Sequence, residues 1–291
     1  SYEGDMISNE TNTENIAPSY TKFEVLGEVK ASTENLSISS INTPIGKMEQ
    51  VYNFEAMEMR GSLNIDAPVT MGAVTLNHGT IETLFDKNGF YVAGSCNAYL
   101  LAGLLTGTYN LGFLAGSYDK TAKNNLDKAW NITNSYINPK VVNTCYKTET
   151  LDAEGLNGIY TAVNRQVLNT SKSFDFILAS GYVRAEVLLG GDFYANFSET
   201  AIMGSDAFLF IDVGAGLSSI SGTSISGGVM ANAQFSTKLT INPNSLEIKG
   251  SLDMNFNGKI EQSLGIETIS KSFDVDCYIG AKASTQNGTQ F

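Results

Sequence analysis

The chain has 291 residues and a 42% hydrophobic composition, enough material for one large or two medium cores. Its 18 Lys and Arg stand against 30 Asp and Glu, for a net charge of −12. That balance excludes the clustered positive charge that nucleic-acid binding or a polybasic membrane-surface patch requires. Charged residues make up only 16%, below the usual quarter or so. Asn, Ser, Thr and Gly take their place, a surface suited to secreted, cell-envelope or particle-associated β proteins.

No apolar run reaches the roughly 18 residues that a membrane-spanning helix needs. The nearest, 90–115, is interrupted by Ser95, Asn97, Thr106, Thr108 and Asn110. The chain opens Ser-Tyr-Glu-Gly-Asp, which reads as a mature form or a fragment. Residues 1–19 are polar and aperiodic, and are expected to be an extended or disordered arm.

A first β-rich region follows over 20–117. Phe23, Val25, Val29 and Ala31 mark a short strand, and Met57, Met59, Gly61, Leu63, Ile65 and Ala67 alternate with polar residues. "LFDKNGFYV" predicts a type I′ hairpin with Asn88-Gly89 at its tip, pairing Lys87 with Phe90 and setting Phe85 beside Val92. The middle, 118–172, reads as a two-helix segment. Ala122, Leu126, Ala129, Trp130, Thr133 and Ile137 form the first stripe, stopped by Pro139. Leu156, Ile159, Tyr160, Val163 and Val167 suggest a second helix over 153–169.

The second β-rich region, 173–291, has the clearest rhythm. From Ile177 to Phe197 the odd positions are apolar or Gly, with Leu178, Tyr182, Leu188 and Tyr194 as exceptions on the even face. Val229 to Ile241 and Phe273 to Ala283 repeat the period of two. In 207–217, Phe208 and Phe210 break the pattern, which predicts cover on both faces there. "SSISGTSIS" and "INPNS" read as turns.

"SLEIKGSLDMNFNGKIEQSL", 245–264, contains an Asn-Gly dipeptide that favours a hairpin. Phase decides against it. In a straight strand the even positions from 246 to 260 are Leu, Ile, Gly, Leu, Met, Phe, Gly and Ile, and the odd ones are polar throughout. A hairpin would turn Lys259 and Glu261 onto the apolar side, and burying unpaired charge costs more than a turn dipeptide returns. One long strand is therefore expected, with Gly250 and Gly258 in matching roles where the sheet coils or a backbone comes close.

Catalytic constellations are thin. His78 is the only histidine, and neither a nucleophile elbow nor a phosphate-cradling loop occurs. His78 reads as a surface or turn residue. Asp274 and Asp276 share a strand face near Glu267 and could pair as acid and base or hold Ca²⁺, although alternating acids usually just face solvent. "DKNG" at 86–89 lacks the remaining ligands of a calcium loop. Cys96, Cys145 and Cys277 have no metal-binding spacing, and Cys96 and Cys277 fall in the apolar phase of strands. Sequons occur at Asn9, Asn35, Asn131, Asn169, Asn196 and Asn287, those at Asn131 and Asn196 inside predicted elements.

The expected fold is mainly β, a β-rich α+β chain of long antiparallel, coiled sheets forming an elongated sandwich or groove. Leu246, Ile248, Leu252, Met254, Phe256, Ile260, Val183, Val187, Phe193 and Phe235 are the candidate lining of its apolar face. The leading functional expectation is a non-enzymatic structural or assembly protein of an envelope, extracellular surface or virus-like particle. It would need no cofactor or metal and would work through protein partners or self-assembly. The alternatives are a carrier for lipid or another hydrophobic ligand, and a membrane-inserted β-barrel.

Overall fold

A computed structural model describes residues 2–5, 28–32, 34–43, 46–103, 106–176, 179–198, 200–219, 222–264, 267–285 and 288–290. Strands dominate, and the antiparallel sheet does not close into a barrel. The chain divides into two compact units, the first of Ser1–Thr106, Gly112–Tyr136 and Lys147–Asn157, the second of Gly107–Leu111, Ile137–Tyr146 and Gly158–Phe291.

In the first unit the strands are β1 (Tyr2–Asp5), β2 (Glu28–Ala31), β3 (Asn35–Thr43), β4 (Gly46–Asn53), β5 (Glu58–Ile65), β6 (Val69–Met71), β7 (Val74–Asp86), β8 (Gly89–Leu100) and the Gly112–Tyr118 part of β9 (Gly107–Tyr118). They follow one another in the sheet, except that β6 pairs only with the start of β7. Of the expected arm, Tyr2–Asp5 is a paired strand, while 6–19 lie outside the described residues, as do Phe23 and Val25. Met57 belongs to the turn before β5, at a φ of 51°.

The β7–β8 hairpin forms one residue out of the expected register. Asp86 pairs with Gly89 and Phe85 with Phe90, so Lys87 and Asn88 make the turn. The Asp86 carboxylate decides this. It accepts hydrogen bonds from the Asn88 backbone N–H (2.7 Å) and side-chain amide (3.3 Å), and from the Tyr118 hydroxyl at 2.6 Å. An Asx turn anchored by a tyrosine outweighs the preference for Asn-Gly at the tip. Gly89, at a φ of 126°, has no room for a side chain against the Ser117 carbonyl.

Helix α1 (Lys123–Thr133) lays Leu126, Ala129, Trp130 and Thr133 into the core against β7 and β8. It ends before Pro139, because the Asn134 amide donates to the Trp130 carbonyl and the Ser135 hydroxyl to the Ile132 carbonyl. Buried Glu82 ties the helix to the sheet. It accepts from the Tyr91 hydroxyl at 2.8 Å and pairs with Lys128 and, at 3.5 Å, with Arg60.

The expected second helix at 153–169 is corrected. Helical turns occur earlier, as α2 (Thr144–Tyr146), a π turn (Lys147–Leu151) and α3 (Asp152–Glu154). Gly155, at a φ of 87°, ends them, and 156–176 form strand β10 (Leu156–Phe176). Leu156, Tyr160 and Asn164, all buried, recur every fourth residue, a spacing that helices and strands share. The β-branched Ile159, Thr161, Val163 and Val167, with Gly158, favour the strand.

The second unit carries β10, β11 (Ala179–Phe197), β12 (Ala201–Ser219), β13 (Thr223–Asn242), β14 (Ser245–Leu264), β15 (Thr268–Ser284) and β16 (Gly288–Gln290). Each is antiparallel to the next, in one sheet rather than two stacked ones. Strand β14 runs unbroken through Asn257-Gly258, as phase predicted, with Gly258 opposite Val229 on one side and Phe273 on the other. The two β14 glycines do not match in role. The Phe273 ring lies over Gly258, whereas Gly250 has open space above it.

Candidate functional site

Cross-strand register aligns the second unit's apolar residues into rows on one sheet face. One row reads Ala185, Val213, Val229, Gly258 and Phe273 across β11–β15, and the next Val183, Ala215, Gly227, Ile260 and Lys271. All ten candidate lining residues fall on this face, Phe235 opposite Leu252 and Ile248 opposite Leu239. Yet it is not an interior. Val183, Phe235, Phe256 and Ile260 remain 46–61% exposed, and together they make a contiguous apolar surface of the kind that marks an interaction or ligand site.

Small residues hollow that surface. Around Ala215, Gly227 and Gly258 lies an apolar concavity of about 510 Å³, bordered by Val183, Ile260, Lys271 and Phe273. A volume of that order suits a drug-sized or single-chain lipid ligand. Apolar contact there would be worth about 25 cal/mol per Å² removed from water.

The opposite face holds the unit's core, built on the residues that broke the alternation. Leu188, Tyr194 and Phe210 are buried beneath the segment 137–146. The Tyr146 ring stacks on Tyr160 (4.9 Å between centroids) and leans on Tyr194 (4.8 Å), while the Lys140 ammonium lies 3.4 Å from the Phe210 ring centre. Beneath them Asp192 and Asp206 are direct cross-strand partners. The Asp206 backbone N–H donates to Asp192 Oδ1 at 3.2 Å, and the Asn143 amide donates to Asp206 Oδ2 at 2.7 Å. Burial, then the neighbouring Asp206 charge, pushes Asp192 up to about 7, and burial raises Asp206 as well. Through the Asn143 contact, Asp206 helps hold 137–146 on the sheet. The sequence signal was a pair of acids on strand positions flanked by the exceptional Leu188, Tyr194, Phe208 and Phe210.

The other candidates are not assembled into a site. His78 is exposed within β7, beside a bulge, with its ring 5.0 Å from that of Tyr136. It is a surface histidine as expected, though in a strand rather than a turn. Asp274 and Asp276 are exposed on β15, both accepting from the Asn255 amide at 2.9 and 2.6 Å. Among the described residues no group of three or more His, Cys, Asp or Glu could hold a metal ion. Cys96 is half-buried, and Cys145 and Cys277 are exposed. Asn196 is fully buried, which closes that sequon to a glycan, and Asn9 and Asn287 lie outside the described residues.

No protein-family model matches the chain, and no curated protein is similar to it.

Proposed function

We propose that this is a non-enzymatic protein that works through the apolar face of β10–β15, carrying a lipid or another hydrophobic ligand there. The observation that supports this is the concavity of about 510 Å³ set into a half-exposed apolar sheet face. Glycines and alanines make it without opening the backbone, since the strands remain fully paired around it. The test is lipid extraction of the purified full chain followed by mass spectrometry, then rebinding of extracted lipid. Delipidated, folded protein that takes up no hydrophobic ligand would sink this reading.

A second reading, a structural or assembly protein of an envelope, surface or particle, draws on a different observation. The apolar face runs across six strands, far beyond the concavity, and β15 is exposed on both faces from Thr268 to Ile279. Such a strand can pair with another chain. Under this reading a Phe235→Asp variant stays monomeric in sedimentation experiments where the parent chain assembles.

A further inference from the structure

Charge is segregated across the second unit's sheet in a way that hydrophobicity alone does not require. Strands β10–β15 carry ten acids, from Asp175 to Asp276. By register every one lies on the face opposite the apolar one: Asp175 aligns with Ser180, Glu186 with Asp212, Asp192 with Asp206, and the acids of β14 and β15 with Lys249, Asn255 and their neighbours. The apolar face carries only cations, namely Arg165, Lys172 and Lys271. In a chain of net charge −12, a surface free of carboxylates favours an anion on electrostatic grounds.

The three cations are not equivalent. Arg165 is engaged, donating to the Tyr109 hydroxyl at 3.1 Å. Lys172 and Lys271 have no carboxylate within ion-pair distance among the described residues, and they end the same cross-strand row, Lys172–Val183–Ala215–Gly227–Ile260–Lys271. Five strand spacings separate them, about 24 Å. The small residues at the middle of that row make a trough across the strands. Its neighbouring rows, containing Val213 and Val229 on one side and Leu217 and Ile225 on the other, are each about 7 Å away. That width admits one acyl chain rather than two. Of the two lysines, Lys271 borders the concavity; Lys259 also lines it, but by register its side chain belongs to the opposite face.

We infer that the trough takes a single-chain lipid with a carboxylate head, a long-chain fatty acid, whose head group meets the Lys271 ammonium while its chain lies over Ala215, Gly227 and Gly258. This rests on the carrier reading and adds the ligand's chain number and charge. Lys271 placed beside Ile260 costs little while its ammonium reaches water, and it supplies a charged, directional contact at the edge of the concavity.

Calorimetric titration of the delipidated full chain with palmitate, hexadecanol and cetyltrimethylammonium tests it. Palmitate is expected to bind most tightly and cetyltrimethylammonium least. Lys271→Glu should weaken palmitate roughly tenfold or more, the scale of one lost charge-assisted contact, and leave hexadecanol unchanged. Lys172→Glu, outside the concavity, should change palmitate binding less than Lys271→Glu does. Gly227→Leu should abolish binding of both palmitate and hexadecanol. A Cβ at Gly227 meets its nearest atoms at ordinary contact distance, 3.4 Å, so this variant should fold. Equal binding of palmitate and hexadecanol, or equal loss in the two lysine variants, overturns the head-group assignment while the carrier reading stands. Folded protein that binds none of the three probes overturns both.

Discussion

Four aromatic rings in the second unit lie over the glycine directly opposite them on the next strand: Phe174 over Gly181, Tyr182 over Gly216, Tyr194 over Gly204 and Phe273 over Gly258. A ring that covers a glycine restores the packing the missing side chain forfeits, so these glycines are set by their partners rather than by backbone angle. A Cβ at Gly204 would fall 2.4 Å from the Tyr194 ring and 2.8 Å from the Thr237 carbonyl, whereas at Gly250 nothing lies nearer than 4.0 Å. Gly204→Ala is expected to cost about 1–3 kcal/mol, and Gly250→Ala to stay within roughly 0.5 kcal/mol, as read from urea midpoints. The same scale holds a pH dependence. Asp192, pushed up to about 7 from an ordinary 3.8, keeps a proton in the native state that the unfolded chain has already released. Stability is therefore greatest below the unfolded value, declines as pH rises toward 7, and levels off above it. Asp192→Asn should flatten most of that decline, leaving the variant more stable than the parent by roughly 1–3 kcal/mol above neutrality. Urea titrations at mildly acidic and mildly alkaline pH would check it; a parent stability that rises with pH across that window contradicts the raised Asp192.

Among elements, the long strands follow from alternation sustained over about twenty residues, and their register follows from tight turns such as Asn242–Ser245, where the first and last residues pair. The two errors at this scale have local causes. An aspartate that accepts three hydrogen bonds moved the β7–β8 turn by one residue. Ile159 and Val163, each three residues from Leu156 or Tyr160, made β10 look helical, but in the strand they lie on the other face, and eighteen residues of β11 pair with it. In helix α1 the three- and four-residue stripe does close on one buried face, with Leu126, Ala129, Trp130 and Thr133 all inward. Its anchor is Leu126, 1% exposed. Leu126→Ala should destabilise the first unit by about 2–5 kcal/mol, visible as loss of hydrogen-exchange protection across α1 before that of β11–β13.

At the scale of the whole molecule, the second unit inverts the usual relation between pattern and core. Its regular apolar face is half-exposed, and its buried core forms on the mainly polar face wherever aromatic exceptions and the segment 137–146 meet. Phe235, 52% exposed, should therefore tolerate Phe235→Ser with a stability change within roughly 1 kcal/mol. The same variant should lower the binding of a hydrophobic dye to the full chain. A large loss of stability with unchanged dye binding would mean that the face is covered.

Sequence alone determined the alternating strands that follow β10, the continuity of β14 and the membership of the apolar face. Each of these is a matter of phase along one chain, and period two leaves no ambiguity once it runs far enough. Only tertiary structure decided which face is covered. That depends on where 137–146 docks, and docking turns on Tyr146, Asn143 and Val141 finding Tyr160, Asp206 and Gly190 on strands distant in sequence. The trough and its cation were likewise hidden, because Ala215, Gly227, Ile260 and Lys271 become neighbours only through registers set by separate turns.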